Sequence, residues 1–223
     1  MVHRDFHIGN ILFKYSKFNN TCISDMGLCG EIRNIDETNI YGVMPYVAPE
    51  VLRGKAYTKA ADIYSFGMVM YFVATGKQPF ADRAHDEVLA LDICNGIKPE
   101  INELEVPKCY IDLMKKCWNS TPENRPNVTE IEEMIWLFRY SYTLNATEFK
   151  REMKIKKEYY HYEIEGQFKE VEEYRKANGL SIEKSKSITH PQAIYTSRLL
   201  NPFTKDIPKD VNSECLDCAI TDY

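Results

Sequence analysis

The residues with the strongest chemical content stand at the start of the chain. His3-Arg4-Asp5-Phe6-His7-Ile8-Gly9-Asn10 runs straight into the apolar Ile11-Leu12-Phe13. Phosphoryl transfer to a hydroxyl needs a carboxylate to receive the hydroxyl proton and a nearby oxygen ligand to hold a metal ion on the phosphates. Asp5 and Asn10 supply that pair. Without its neighbours the stretch reads as no more than a polar turn before a strand, so its meaning depends on the elements around it.

Residues 11–13 and 21–24 are short β-prone runs separated by a polar stretch with Asn19-Asn20, which predicts a hairpin carrying the chain from Asn10 back to Asp25-Met26-Gly27. Residues 28–41 are polar without a clear period and read as a loop, which leads to Ala48-Pro49-Glu50. Ala60-Ala61-Asp62-Ile63-Tyr64-Ser65-Phe66-Gly67 opens an apolar run to Ala74, broken by Gly76 and Pro79, and predicts a buried helix ended by glycine. Residues 85–93 and 110–118 have helical spacing, the second with Ile111, Met114 and Trp118 on one face. Cys117-Trp118 is followed by Pro122, Asn124, Arg125 and Pro126, and residues 129–138 read as an amphipathic helix with Ile131, Met134, Ile135 and Phe138 inward.

Taken in order, H-R-D-Φ-x-x-x-N at 3–10 (Φ, a bulky apolar residue), D-M-G at 25–27, A-P-E at 48–50 and C-W-x-x-x-P-x-x-R-P at 117–126 resemble the C-terminal lobe of eukaryotic protein kinases, in particular the tyrosine-kinase-like group. The resemblance covers residues 1–140 and implies transfer of the ATP γ-phosphate to a hydroxyl of a protein substrate. It implies that Asp5 accepts the proton, that Asn10 and Asp25 hold Mg²⁺, and that Leu12 lies under the adenine. Arg4 would receive a phosphate on the segment between D-M-G and A-P-E, with Thr38 and Tyr41 as candidate carriers. His3 is assigned a structural role, Asp62 would tie down the backbone of the catalytic loop, and Glu50 would form a buried ion pair with Arg125.

Two positions depart from the serine/threonine pattern of that family: His7 stands for a lysine and Val43 for a threonine. Tyr46, however, stands where tyrosine kinases carry tryptophan, so serine/threonine acceptors are favoured. His7 is read as packing on the loop, the alternative being a charge near the transferring phosphate. No G-x-G-x-x-G occurs in the sequence, and no strand lysine or helix glutamate of an N-lobe precedes His3. The expectation is therefore a kinase fragment without measurable activity alone. The competing class is a non-catalytic, kinase-derived scaffold that docks partners through residues 84–96, the αG region of the resemblance, or through the tail. Intact Asp5, Asn10 and Asp25 weigh against it.

Composition sets the remaining bounds. The chain has 223 residues, 44% of them hydrophobic, enough for a sizeable core. Its formal charge of -5 argues against nucleic acid as the main partner. The longest apolar run is too short to span a bilayer, and the first residues lack signal-peptide character. Seven scattered cysteines predict reduced thiols without disulfides and a cytoplasmic location, with the nucleus as the other option. Cys215 and Cys218 lack a second ligand pair for zinc, and His85, His161 and His190 read as surface residues without a metal constellation. Residues 141–177 form a charged, solvent-exposed helical extension whose apolar positions, Phe149, Met153, Tyr160, Phe168, Val171 and Tyr174, hold no heptad. Residues 178–223 read as a flexible tail. The expected fold is mostly α: a protein-kinase-like C-terminal lobe with a short β-hairpin at the active site, followed by a charged helical tail.

Overall fold

The computed structural model describes residues 1–14, 20–30, 39–143, 156–179 and 189–209. Its elements are β1 (Ile11–Lys14), β2 (Asn20–Ile23), β3 (Tyr41–Gly42), α1 (Pro49–Leu52), α2 (Lys59–Thr75), α3 (Glu87–Cys94), α4 (Lys108–Cys117), α5 (Val128–Thr143), α6 (Lys156–Ala177) and β4 (Arg198–Leu199). The fold is mostly helical, with β1 and β2 forming the antiparallel hairpin in the register Ile11↔Ile23 to Lys14↔Asn20. A second two-stranded antiparallel sheet pairs β3 with β4, Tyr41 against Leu199 and Gly42 against Arg198.

Helix α2 is the pillar of the core. Thr58 Oγ1 caps its first turn by accepting from the Ala61 N–H, and Gly76 at φ 68° closes it with an N–H donated to the Phe72 carbonyl. Its sequence is apolar on most sides, and Tyr64, Met68, Val69, Met70 and Tyr71 are all buried. At Gly67 the backbone of α4 comes so close that a β-carbon would lie 3.0 Å from the Trp118 nitrogen. The crossing of α2 and α4 therefore requires glycine at that position.

Short polar side chains set the starts of α3 and α5. Asp86 accepts from the N–H groups of Val88 and Leu89 to open α3, which buries Leu89, Ala90, Ile93 and Cys94. Asn127 and Glu130 exchange side-chain-to-backbone bonds at the start of α5, a reciprocal capping box. On α5 the inward residues are Ile131, Leu137 and Phe138, with Met134 half-buried and Ile135 exposed. Ile135 thus departs from the expected face. The contact side of α5 follows its neighbours α4 and α6, and Leu137 takes the place assigned to it.

Glu50 and Arg125 tie the first turn of α1 to the turn after α4. Arg125 Nη1 and Nη2 donate to Glu50 Oε1 and Oε2 at 2.7 and 2.8 Å, both side chains being almost wholly buried. The same guanidinium donates to the carbonyls of Ala60 and Asn119 and lies over the Tyr64 ring. Every donor direction used is matched, which is what makes a buried charge tolerable.

Two segments pack more than their composition suggests. Helix α6, expected to be solvent-exposed, buries Ile164 and sets Phe168 against Phe138 of α5. Gln167 Oε1 accepts from the Cys109 N–H in the first turn of α4, and Arg175 donates to the Ala74 carbonyl near the end of α2. Charge density concealed a sparse apolar stripe, and the polar side chains complete the ends of other helices. Phe149, Met153 and the rest of 144–155 lie outside the described residues, as do Cys215 and Cys218. The five described cysteines are free thiols. No described helix is long and apolar enough to cross a membrane.

The second correction concerns 178–223, expected to be flexible throughout: residues 189–209 form a strap packed on the core. Leu200 and Ile207 are buried, and the Leu200 N–H donates to the Ile40 carbonyl. His85, expected on the surface, is buried beneath this strap. Its Nδ1 accepts from the Ile194 N–H at 3.0 Å, which leaves Nε2–H to donate to the Phe80 carbonyl at 3.2 Å. Tyr195 packs edge-on against the His85 ring and donates its hydroxyl to the Pro79 carbonyl. The averaged polarity of the tail hid the few apolar residues, and backbone pairing leaves no mark on composition.

Burial pushes the His85 pKa below its ordinary value of 6.5, with a smaller push from the Arg198 cation; backbone hydrogen bonds and Asp86 oppose it. The unfolded chain therefore takes up a proton near pH 6.5 that the folded chain resists. Stability linked to His85 is complete above pH 6.5 and declines as the pH falls from there through the folded pKa. The urea midpoint is expected to drop more between pH 7.5 and 5.5 in the wild type than in His85→Gln; equal drops would remove His85 as the cause. Arg125→Ala is expected to lose roughly 3–5 kcal/mol in the same unfolding measurement, because Glu50 is left buried without its partner.

Candidate active site

The site is assembled from the bottom of the catalytic-loop backbone upward. Asp62, in the first turn of α2, accepts from the His3 N–H at 2.7 Å and the Arg4 N–H at 3.0 Å. Arg4 adopts φ 72°, an unfavourable backbone for a residue with a β-carbon, and these bonds hold it there. Burial raises the Asp62 pKa, while the two N–H donors and the charges of His3 and Arg4 pull it down. Phe6 stacks on Phe66 of α2, a second anchor for the same loop.

Asp5 follows Arg4 and is buried. Asn10 Nδ2 donates to the Asp5 carbonyl at 2.9 Å, so the amide nitrogen is occupied and the Asn10 Oδ1 is the atom offered to a metal. The Asn10 carbonyl accepts from both the backbone N–H and the hydroxyl of Ser24. This clasp at the open end of the hairpin places Asp25 one residue beyond the Ser24–Asn10 pair. Asp25 is exposed with φ 57°, and its Oδ1 accepts from the Gly27 N–H. Among the described residues no cluster of three or more His, Cys, Asp or Glu could hold a metal unaided. Two hard oxygen donors suit Mg²⁺, which usually completes its shell with phosphate oxygens and water.

The remaining expected residues fall as follows. His3 Nε2 lies 3.2 Å from the Ser24 carbonyl, so it bridges the catalytic loop to the residue before Asp25. Leu12 is exposed, together with Phe13, Ile23 and Met26, giving the hairpin end an apolar surface beside Asp25. Arg4 lies against Gly30, where a β-carbon would meet Nη1 at 3.1 Å, and Val2 bridges to Gly30 through its backbone. The guanidinium thus borders the start of the 31–38 segment. Thr38 lies outside the described residues, whereas Tyr41 stands in β3 with an exposed side chain. His7 caps the turn after Asp5: its Nδ1 accepts from the Gly9 N–H, and its Nε2 lies 3.7 Å from Asp5 Oδ2. Val43 is buried, and Tyr46 packs against His7 while donating its hydroxyl to Gln78.

Three contributors carry no motif of their own. Ser65 of α2 donates to the Tyr46 carbonyl at 2.7 Å, and the Tyr57 hydroxyl donates to the Tyr41 carbonyl. Burial, with the Asp5 and Asp62 charges, raises the Tyr57 pKa, so the hydroxyl stays protonated as donor. Gly42, at φ 145°, passes so close that a β-carbon would lie 2.8 Å from Val47 Cγ2 and 3.7 Å from Asp5 Oδ1. The sole sequence signal for Gly42 is a glycine between two bulky residues.

Comparison with known proteins agrees with this geometry. The protein kinase domain family matches residues 1–137. The chain is 37% identical over 132 residues to a Dictyostelium discoideum protein named as a probable serine/threonine-protein kinase, covering 58% of this chain and 8% of that protein. It is 35% identical over 136 residues to the dual specificity protein kinase pyk3 of the same organism, covering 59% and 10%. A protein kinase and PP2C-like domain-containing protein of Arabidopsis thaliana is 31% identical over 173 residues, covering 61% and 26%. The chain therefore belongs to the protein kinase family. It spans about a quarter or less of the length of these relatives.

Asp62→Ala leaves two backbone N–H groups without their acceptor and is expected to lose roughly 2–5 kcal/mol. Amide exchange should accelerate first at His3 and Arg4; unchanged protection there would show that Asp62 does not hold the loop.

Proposed function

We propose that this chain is the C-terminal lobe of a kinase of the tyrosine-kinase-like group that transfers the ATP γ-phosphate to a protein hydroxyl, with serine or threonine favoured. The observation that carries the reading is the fixed arrangement of Asp5, Asn10 and Asp25 on one hairpin end, held by Asp62 and Ser24. In this reading residues 1–140 are the lobe, 141–177 its charged helical extension and 178–223 its tail, acting in the cytoplasm or nucleus.

The Asp5 carboxylate accepts the acceptor hydroxyl's proton as that oxygen bonds to the γ-phosphorus and the bond to the leaving diphosphate breaks. Asn10 Oδ1 and the Asp25 carboxylate would hold Mg²⁺, which when bound would supply positive charge beside the phosphates. Leu12 supports the adenine face. His7 packs on the loop, with Nδ1 engaged by the Gly9 N–H and Nε2 3.7 Å from Asp5 Oδ2, the alternative being a charge near the transferring phosphate. Arg4 receives a phosphate from Thr38 or Tyr41 and so orders the segment leading to β3. Tyr46 in place of tryptophan supports serine/threonine acceptors, while the buried Val43 removes the hydroxyl that the serine/threonine pattern uses beside the catalytic aspartate.

The experiment is transfer of labelled phosphate from MgATP to a mixed protein substrate by a protein that carries this lobe together with an N-lobe, with nucleotide binding measured by calorimetry; the chain alone is expected to be inactive. Asp5→Asn is expected to lower turnover by about two to four orders of magnitude while leaving MgATP affinity within a few-fold. Unchanged turnover would overturn the role of Asp5, and phosphoamino-acid analysis of the product separates serine/threonine from tyrosine. A protein carrying this lobe together with an N-lobe that neither binds MgATP nor transfers phosphate would favour the docking-module reading instead.

A further inference from the structure

The strap of residues 189–209 covers the β3 edge, which passes close to Asp5 at Gly42. Its path is continuous. The His190 N–H donates to the Ala81 carbonyl, and the His85 N–H donates to the Gln192 carbonyl. Arg198 then reaches back to the His85 carbonyl at 2.6 Å, and β4 pairs with β3. The Ile40 N–H donates to Asn201 Oδ1, and the Leu200 N–H to the Ile40 carbonyl, both at 2.7 Å. The edge that β4 covers is that of Tyr41–Gly42, and a β-carbon on Gly42 would lie 3.7 Å from Asp5 Oδ1.

The contacts divide as they do when a peptide adds a strand to a sheet edge: main-chain bonds hold the strand, and a few side chains select it. Leu200 is wholly buried, Tyr195 lies edge-on to His85, and Arg198 is placed between the His85 carbonyl and the Phe203 ring. Thr196 and Ser197, the residues just before β4, remain exposed. Extending the register by one position sets Ser197 opposite Val43.

We infer that the β3 edge and the His85 loop form an extended-peptide groove beside Asp5, that residues 189–209 fill it in cis, and that its ligands carry the pattern aromatic-x-x-Arg-x-Leu of Tyr195, Arg198 and Leu200. The strap thereby keeps an acceptor peptide from Asp5 until it is displaced. This last consequence rests on the proposed role of Asp5; the groove and its occupant do not.

The test uses a fluorescent peptide of residues 189–209 added to the full chain. In the wild type the tethered strap competes at an effective concentration in the millimolar range, so the free peptide binds weakly. Leu200→Asp places a carboxylate in a wholly buried site and releases the strap, and Asn201→Ala loosens it without touching the core. Both variants are expected to bind the peptide at least ten-fold more tightly than the wild type, and a peptide carrying Leu200→Asp should lose that gain. Equal affinity in all three proteins, or no binding to a variant whose urea midpoint shows it folded, would overturn the groove. In a protein that carries this lobe together with an N-lobe, phosphate transfer to a serine peptide should rise several-fold in the released variants. If the binding arm succeeds while transfer by that two-lobed protein is absent throughout, the groove stands and the kinase reading fails.

Discussion

The carboxylate of Asp62 is the constraint from which the rest of the site follows. It sits in the first turn of a helix whose remaining length is locked in the core, so its position is as rigid as the core itself. Two successive backbone N–H groups converge on it and force Arg4 into a left-handed backbone. That turn aims Asp5 across to Gly42 and starts the run that ends at Asn10. A charged acceptor for two buried donors is stronger than neutral pairing, and this offsets part of the desolvation that raises its pKa. Function at the hairpin thus depends on packing well below it.

Glu50 and Arg125 do for the far side of the site what Asp62 does for the near side. Residues 40–50 must pass close to Asp5 and then turn into α1, a path with little regular structure of its own. The ion pair fixes its end, Ser65 takes the Tyr46 carbonyl at its middle, and Tyr57 takes the Tyr41 carbonyl at its start. Each of these partners comes from α2, its preceding loop or the turn before α5. The segment is therefore positioned by side chains reaching out of the helical core, and Gly42 allows it to approach closely.

Legibility in the sequence tracked how directly chemistry dictates residue type. The contacts of Asp62 with the backbone of His3 and Arg4 and of Glu50 with Arg125 were readable because each position admits very few side chains, and the structure brings both sets together. The buried helix α2 was readable from an apolar run with a glycine stop. Ile135 was misplaced because helical spacing alone leaves the face undetermined by about a third of a turn when the neighbours are unknown. His85 and the strap were misread for a common reason: each satisfies the other, so neither shows its burial in its own local sequence. Helix α6 was readable as a helix, while its docked face rests on Ile164, Phe168 and Gln167 among many charges.

The pairing of Ile40 with Leu200 and Asn201 closes a circuit between residues 161 positions apart. Loop-closure entropy rises only slowly with such a separation, yet it must be overcome before the contact returns anything. During synthesis the strap leaves the ribosome after every other element it touches, so the edge next to Asp5 stands open on the nascent molecule and is covered last. The same ordering runs backward in the finished protein: a short two-residue ladder supported by a few buried side chains opens by local fluctuation well before the α2 core unfolds. Access to Asp5 is then governed by the population of that partly open state, a quantity far smaller in free energy than global stability and correspondingly easier to shift.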